Sequence, residues 1–134
     1  MHKLHTASLF LMLSVFGMNL AWADTPQPYS DQVFEKLQAA GASIVVFVHA
    51  DWCPVCQVQK PIVYDFANSK AYGTVKVLMV DFDMQKEVVQ KFNVQHQSTL
   101  IAFRGGKELN RIVGITQKNL IEVLFQRATG LVSD

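Results

Sequence analysis

The sequence predicts one α/β domain with a mixed central β-sheet flanked by helices. Short apolar runs rich in β-branched residues alternate with segments of helical period, which is the pattern of strands and helices that build one sheet. A Gly-Gly pair between two of the runs predicts a hairpin, so the sheet contains antiparallel as well as parallel strands. The chain beyond its N-terminal segment is long enough for one hydrophobic core.

The first half of the domain predicts a helix followed by a buried strand. Ser30 is a suitable N-cap and Gly41 a suitable stop for a helix over 31–40. The strand predicted over 43–49 is nearly all apolar, as expected for a strand covered on both faces of the sheet. The segment 25–29 is short and contains two prolines, so we expect no strand before the first helix.

The second half adds three helices and three strands. The hairpin turn is predicted at 104–107, because its two glycines supply the positive φ of a tight turn. The predicted elements are a helix over 55–69, a strand over 75–81, a helix over 85–92, strands over 99–103 and 108–113, and a helix over 116–128. The core candidates are aromatic residues and the apolar stripe of the last helix: Tyr64, Phe66, Phe92, Phe103, Leu120, Ile121, Leu124 and Phe125.

Residues 1–23 predict a cleavable secretory signal peptide. Lys3 precedes an apolar stretch from Ala7 to Leu20, and Ala21-Trp22-Ala23 has the small-x-small pattern at which signal peptidase cleaves. The stretch is shorter than the about 20 residues of a membrane span, and an uncleaved anchor is the alternative. We therefore expect cleavage after Ala23 and a domain over 24–134.

Export would place this domain in an oxidising compartment, the periplasm in a bacterium or the medium outside a cell. Lys3 is the only lysine or arginine of the predicted signal, so the domain balances 11 acidic residues with 11 lysine and arginine residues. This balance does not indicate a nucleic-acid footprint or a polybasic membrane patch. We expect a monomer without a nucleic-acid partner.

The chemistry is predicted at Trp52-Cys53-Pro54-Val55-Cys56, which holds the only two cysteines. Cys53 falls where the buried strand meets the long helix, and unpaired N–H groups at a helix N-terminus stabilise a thiolate. Pro54 suits the first turn because it has no N–H to leave unpaired there. Cys56, one turn along, could resolve a mixed disulfide. The motif predicts a redox-active disulfide that needs no cofactor or metal.

Other interpretations of the cysteine pair remain open. A purely structural disulfide is disfavoured, because so small a loop removes little entropy from the unfolded chain. A zinc site needs four ligands, so the two sulfurs would need His49 and His96, or a second subunit, to complete it. An iron–sulfur cluster or a copper ion could likewise be held by the cysteines of two subunits. The alternative function is a non-catalytic binding module, or an assembly factor that uses Cys53 and Cys56 to bind metal or to serve one client.

The motif resembles the Trp-Cys-x-x-Cys site of the thioredoxin-like family, and the resemblance extends over about Ser30 to Ala128. It implies the thioredoxin-like fold and a thiol-disulfide oxidoreductase. Pro61 matches a proline within the family's active-site helix, and Asp81-Phe82-Asp83 matches the end of a strand. Residues 99–107 match a hairpin, and Val113-Gly114 contains the glycine that follows it.

The resemblance implies a substrate-binding surface made by residues beside the cysteines and in the loop facing them: Trp52, Pro54, Gln97, Ser98 and Thr99. The family has a cis-proline where this chain has Ser98. A cis bond before serine would cost about 2.5–4 kcal/mol, so we expect a trans bond. The Ser98 hydroxyl would either hydrogen-bond a cysteine sulfur or the substrate backbone, or point into water.

Two further substitutions concern proton transfer. Phe47 and Met79 stand where the family has a buried aspartate and its lysine neighbour. We expect any proton relay to come from His49, Asp51 or His96, since a histidine near a thiolate can lower its pKa and accept a proton. The alternative is that each is an ordinary solvated group.

The direction of electron flow is predicted from the resemblance. Pro54-Val55 between the cysteines is neither the Gly-Pro of reducing thioredoxins nor the Pro-His of oxidising periplasmic relatives. The chain has no inserted helical domain of the kind found in Dsb-type oxidases. The resemblance therefore favours a reductant of cysteine-containing exported proteins, with electrons taken from a membrane donor of the DsbD/CcdA type.

Overall fold

The computed structural model describes residues 26–132, and the predicted signal peptide lies outside the described residues. Nine elements follow one another within this range. They are β1 (Gln27–Pro28), α1 (Asp31–Ala39), β2 (Ser43–His49), α2 (Pro54–Ala67), β3 (Lys76–Asp81), α3 (Lys86–Lys91), β4 (Thr99–Arg104), β5 (Lys107–Val113) and α4 (Lys118–Thr129). No helix between residues 26 and 132 is both long and apolar enough to cross a bilayer.

The five strands form one mixed sheet in the order β1-β3-β2-β4-β5, which confirms the predicted fold class. Strands β1, β3 and β2 are parallel, whereas β4 pairs antiparallel with both β2 and β5. At the centre of the sheet Val46 lies between Leu78 and Ile101. The buried strand is therefore the middle one of five, as its apolar sequence requires.

The expectation of no strand before α1 is wrong. Gln27 and Pro28 pair with Leu78 and Met79 of β3, and the N–H of Tyr29 extends the pairing by donating to the Met79 carbonyl at 2.8 Å. A proline is tolerated here because β1 is at the edge of the sheet, where one side of the strand needs no N–H donor.

The helix boundaries follow local signals. The Ser30 hydroxyl caps α1 by accepting from the N–H of Val33 at 3.3 Å, and Gly41 follows with a φ of 68°, which suits glycine after a helix. The helix α2 begins at Pro54, one residue before the predicted start, and contains Pro61 as expected.

The core lies on both faces of the sheet. Val45 and Phe47 of β2 belong to the cluster that includes both cysteines and α4, whereas Val46 and Val48 belong to the cluster on the opposite face. Strand alternation explains the division. The helix α4 buries residues spaced at i, i+3, i+4 and i+7, namely Ile121, Leu124, Phe125 and Ala128.

Two predicted core residues are exposed. Tyr64 lies on the solvent side of α2, and Leu120 lies beside the buried stripe of α4 without belonging to it. An amphipathic helix presents only one stripe to the core, so an apolar residue next to that stripe still meets water. The other predicted aromatic core residues, Phe66, Phe92 and Phe103, are buried.

Candidate active site

A disulfide joins Cys53 and Cys56 at the start of α2, with their Cα atoms 5.2 Å apart. Cys53 is the N-cap residue, and its Sγ accepts a hydrogen bond from the N–H of Cys56 at 3.1 Å. Pro54 occupies the first helical turn, as the sequence predicts. The Cys53 sulfur thus takes the place that a capping oxygen has in other helices.

The same position favours an anion on Cys53 once the disulfide opens. Within the described residues, the first turn of α2 carries no acidic side chain, so no carboxylate competes for the positive end of the helix dipole. A thiolate there gains both the dipole and the N–H of Cys56. Both effects lower the pKa of a thiol and make it the better nucleophile.

Both cysteines are buried in the disulfide form, with exposed fractions of 1% for Cys53 and 2% for Cys56. Cys56 lies in the core cluster on the α2 and α4 side of the sheet. Trp52, at 61%, and Pro54 are the exposed residues of the motif. The role of Trp52 and Pro54 in binding substrate stays a prediction.

Trp52 is held in place by a contact that the sequence analysis missed. Its Nε1–H donates to Asp83 Oδ2 at 2.6 Å, across 31 residues. Asp83 lies in a turn after β3, where Asp81 Oδ1 accepts from the N–H groups of Asp83 and Met84 at 2.9 Å each. The two aspartates of Asp81-Phe82-Asp83 were a usable signal, because an aspartate after a strand often caps a turn.

The loop that precedes β4 has an unusual backbone. Ser98 has a φ of 60°, in the left-handed region that few non-glycine residues adopt. Its hydroxyl donates to the Gln97 carbonyl, and the side chain is buried. The hydroxyl is therefore bonded within its own loop and points neither into water nor at a cysteine sulfur, and a hydrogen bond from it to the substrate backbone stays a prediction.

The other predicted substrate-binding residues of this loop differ in exposure. Thr99 is buried, with its hydroxyl donating to the His96 carbonyl at 2.6 Å, and Gln97 is half-buried. The Ser98 carbonyl accepts from the N–H of Gly114 at 3.0 Å. A role of Gln97, Ser98 and Thr99 in binding substrate stays a prediction.

The three candidate proton acceptors occupy different environments. His49 is half-buried at the end of β2 and lines a groove of about 280 Å³ with Lys60 and Asp81. Burial lowers the pKa of His49 below its ordinary value, Lys60 lowers it further, and the carboxylates of Asp81 and Asp51 oppose the shift. A neutral imidazole is the form that accepts a proton.

Asp51 and His96 are both exposed. The backbone carbonyl of Asp51 accepts from Gln57 Nε2 at 2.9 Å, which ties the residue to α2 without occupying its carboxylate. Between residues 26 and 132, no three side chains of the His, Cys, Asp and Glu types are grouped so as to hold a metal ion. The relay roles of His49, Asp51 and His96 stay predictions.

Gln59 is a second feature that the sequence analysis missed. It is fully buried on α2, and its Nε2 donates to the carbonyls of Ser98 at 3.2 Å and Ile115 at 2.9 Å. It thereby connects the helix that carries the dithiol to the loop that faces it. The available signal was its place on the buried face of α2, three residues after Cys56 and four before Val63.

Comparison with known proteins agrees with this geometry. A family model described as Thioredoxin matches residues 25–126. Thioredoxin H-type from Fagopyrum esculentum is 31% identical over 104 residues, which cover 78% of this chain and 87% of that protein. Thioredoxin from Chlamydia muridarum (strain MoPn / Nigg) is 32% identical over 101 residues, which cover 75% of this chain and 96% of that protein.

Among solved structures, Trxlp from Edwardsiella tarda EIB202 superposes with a TM-score of 0.71 at 41% identity, over 73% of this chain and 95% of that one. The fold and the disulfide at the start of α2 define the class of proteins that exchange a dithiol with a disulfide. The chain belongs to the thioredoxin family and is a thiol-disulfide oxidoreductase. The predicted family, fold and enzyme class are thereby confirmed.

Proposed function

We propose that this protein is an exported reductase that transfers electrons from a membrane donor of the DsbD/CcdA type to disulfides of exported proteins, in the periplasm of a bacterium. The observation that carries the exchange reaction is Cys53 at the N-cap of α2 with its sulfur on the Cys56 N–H. That arrangement stabilises the attacking thiolate. The reducing direction is supported instead by Pro54-Val55 between the cysteines, which differs from the Pro-His of oxidising relatives. Export is supported by the signal-like sequence of residues 1–23.

The reaction runs from the reduced dithiol. The Cys53 thiolate attacks one sulfur of the substrate disulfide, the other substrate sulfur leaves as a thiolate, and a mixed disulfide forms. Cys56 then loses its proton and attacks Cys53, which releases the second substrate sulfur. Two electrons and two protons have passed to the substrate, and the Cys53–Cys56 disulfide is the product.

His49 is the residue we propose to accept the proton of Cys56. Phe47 is fully buried and Met79 lines the groove, and neither side chain can take a proton. His49 lies beside Phe47, with ring centroids 5.6 Å apart, and opens onto the groove that it shares with Lys60 and Asp81. The groove gives the imidazole a route to exchange its proton with water.

The reduction potential of the cysteine pair tests the direction of electron flow. The protein is equilibrated in glutathione and dithiothreitol buffers, and the fluorescence of Trp52, beside the disulfide, reports the oxidised fraction. A potential near about −270 mV is expected for a reductant, and one near about −120 mV would instead make the protein an oxidant. The absence of any reversible two-electron transition would remove the exchange reaction altogether.

Export has its own test. The full chain is expressed in a bacterium, the periplasmic fraction is collected, and the N-terminal residue of the purified protein is sequenced. Asp24 at the N-terminus is the expected result. Recovery of the protein only from the cytoplasm, beginning at Met1, would contradict export without affecting the exchange chemistry.

A further inference from the structure

Gln59 lies on the same face of α2 as Cys56. The two residues are three apart and both are buried, and residues at this spacing are neighbours on a helix, with about 5–6 Å between their Cβ atoms. Side chains on a helix lean toward its N-terminus. The Gln59 side chain therefore extends toward the turn that carries the disulfide.

The two carbonyls bound by Gln59 determine which end of its amide carries hydrogen. Nε2 donates to the Ser98 and Ile115 oxygens at 3.2 and 2.9 Å. An oxygen in the same place would face two other oxygens and could bond to neither. Oε1 is therefore at the other end of the amide.

Oε1 of Gln59 is buried and has no hydrogen-bond partner among the residues that the structure describes. A buried acceptor without a donor is destabilising, because it has lost its hydrogen bonds to water without replacement. The nearby hydroxyls are used elsewhere, because Ser98 donates to the Gln97 carbonyl and Thr99 to the His96 carbonyl. In the disulfide form the Cys56 sulfur has no hydrogen to donate.

We propose that Oε1 of Gln59 accepts a hydrogen bond from the Cys56 thiol when the disulfide is reduced. Reduction adds two electrons and two protons to the Cys53–Cys56 bond, supplied by a dithiol that closes to its own disulfide. The proton placed on Cys56 Sγ is the donor that Oε1 lacks in the oxidised form. The contact stabilises the reduced pair, so Gln59 raises the reduction potential and makes the protein a milder reductant.

This inference depends on the dithiol exchange of the family and is independent of the direction of flow and of export. It also separates two functions of one side chain. Nε2 holds the loop of Ser98 and the segment of Ile115 against α2 in either redox state, whereas Oε1 would gain its partner only after reduction. A residue that acts only as a clamp would affect stability without affecting the potential.

The first experiment observes the thiol directly. Cys53→Ala leaves Cys56 as the only thiol of the chain, and its S–H stretching band is recorded by Raman spectroscopy with and without Gln59→Met. We expect the band at higher frequency in the Gln59→Met variant, because a hydrogen bond weakens the S–H bond. A band at the same frequency in both proteins would overturn the proposal.

A second measurement needs no substitution at Gln59. The ¹³C chemical shift of its side-chain carbonyl carbon is compared between the oxidised and reduced forms of the unsubstituted protein. The expected result is a change at Gln59 that exceeds the change at the exposed Gln90 on α3. Equal small changes at both residues would show that Oε1 gains no donor on reduction.

The third experiment measures the energetic consequence. In the Gln59→Met variant the exchange equilibrium with dithiothreitol should move about threefold toward the oxidised protein, which corresponds to a potential about 14 mV lower. Tyr72→Phe is the matched control, since it removes a hydrogen bond of 2.9 Å from a buried tyrosine to Glu122. It should reduce stability and leave the potential unchanged.

A loss of stability in Gln59→Met at constant potential, as is expected of Tyr72→Phe, would show that Gln59 only holds the loop of Ser98 and the segment of Ile115 against α2. That result would refute the proposal. Failure of the unsubstituted protein to show any reversible redox transition would be a different result. It would contradict the exchange reaction of the proposed function, whereas the Raman and carbon-shift measurements on Cys56 and Gln59 would still decide this inference.

Discussion

The indole N–H of Trp52 donates to the carboxylate of Asp83 at 2.6 Å, and this contact fixes the exposed ring beside the disulfide. Asp83 is itself positioned by its backbone N–H, which donates to Asp81 Oδ1. A tryptophan that is 61% exposed would otherwise rotate freely. The contact therefore restricts the rotation of an otherwise mobile aromatic side chain.

Removing the acceptor on Asp83 should make the Trp52 side chain more mobile. In Asp83→Ala the hydrogen bond to Trp52 is lost, and we expect a drop of about 1 kcal/mol in the free energy of unfolding and a lower fluorescence anisotropy of the indole. Turnover of a protein disulfide should fall about threefold. Asp83→Asn keeps an acceptor and should behave nearly as the unsubstituted protein; equal effects of both substitutions would exclude the hydrogen bond as the cause.

Ser98 should not accept the proline that the family places there. Its φ of 60° is incompatible with the proline ring, which holds φ near −65°. We expect Ser98→Pro to lower the free energy of unfolding in urea by about 3 kcal/mol or more. Ser98→Gly should instead raise it by up to about 1 kcal/mol, because glycine adopts this φ without strain. A stabilising Ser98→Pro would contradict this backbone geometry.

Stability should depend on pH through His49. Burial lowers the pKa of His49 from its ordinary value of 6.5, so the unfolded chain takes up a proton at higher pH than the folded protein. The stabilisation is therefore complete above pH 6.5 and is lost as the pH falls through the lower pKa of the folded state. The measurement is the urea midpoint between pH 8 and pH 5, approximately the range in which an unfolded histidine titrates.

The control for this dependence is the exposed histidine. His49→Gln should flatten the decline of the urea midpoint below pH 6.5, whereas His96→Gln, at an exposed position, should leave it unchanged. A decline that survives in His49→Gln would assign it to another group. Loss of turnover near neutral pH in His49→Gln alone would in addition support its role as proton acceptor.

The two cysteines should be distinguishable by substitution. Cys53→Ser removes the attacking thiolate, and we expect exchange with protein disulfides to stop. Cys56→Ser keeps the nucleophile and removes the resolving thiol, so mixed disulfides should accumulate and be visible on non-reducing gels. Several captured proteins would support a general reductase, and one captured protein would indicate a dedicated assembly factor. Accumulation with Cys53→Ser instead would reverse the two roles.

Local patterns predicted the central part of this fold well. The strand over 43–49 and the dithiol at the start of α2 have the bounds and place that the sequence indicates, because a continuous apolar run and a proline at a helix start are local signals. The strand β1 was missed for the opposite reason. Its two residues include a proline and are strand only because β3 provides the partner.

The features of the site also divide into those that local sequence predicts and those that depend on the tertiary structure. The sequence by itself determined the reactive dithiol, its helix N-terminus and the tryptophan beside it, since these depend on residues that are adjacent along the chain. Only the tertiary structure decided that Asp83 holds Trp52, that Ser98 adopts a positive φ, and that Gln59 is buried with an oxygen that has no hydrogen-bond partner among the described residues. These depend on pairing between segments 31 to 56 residues apart, which the local sequence does not encode.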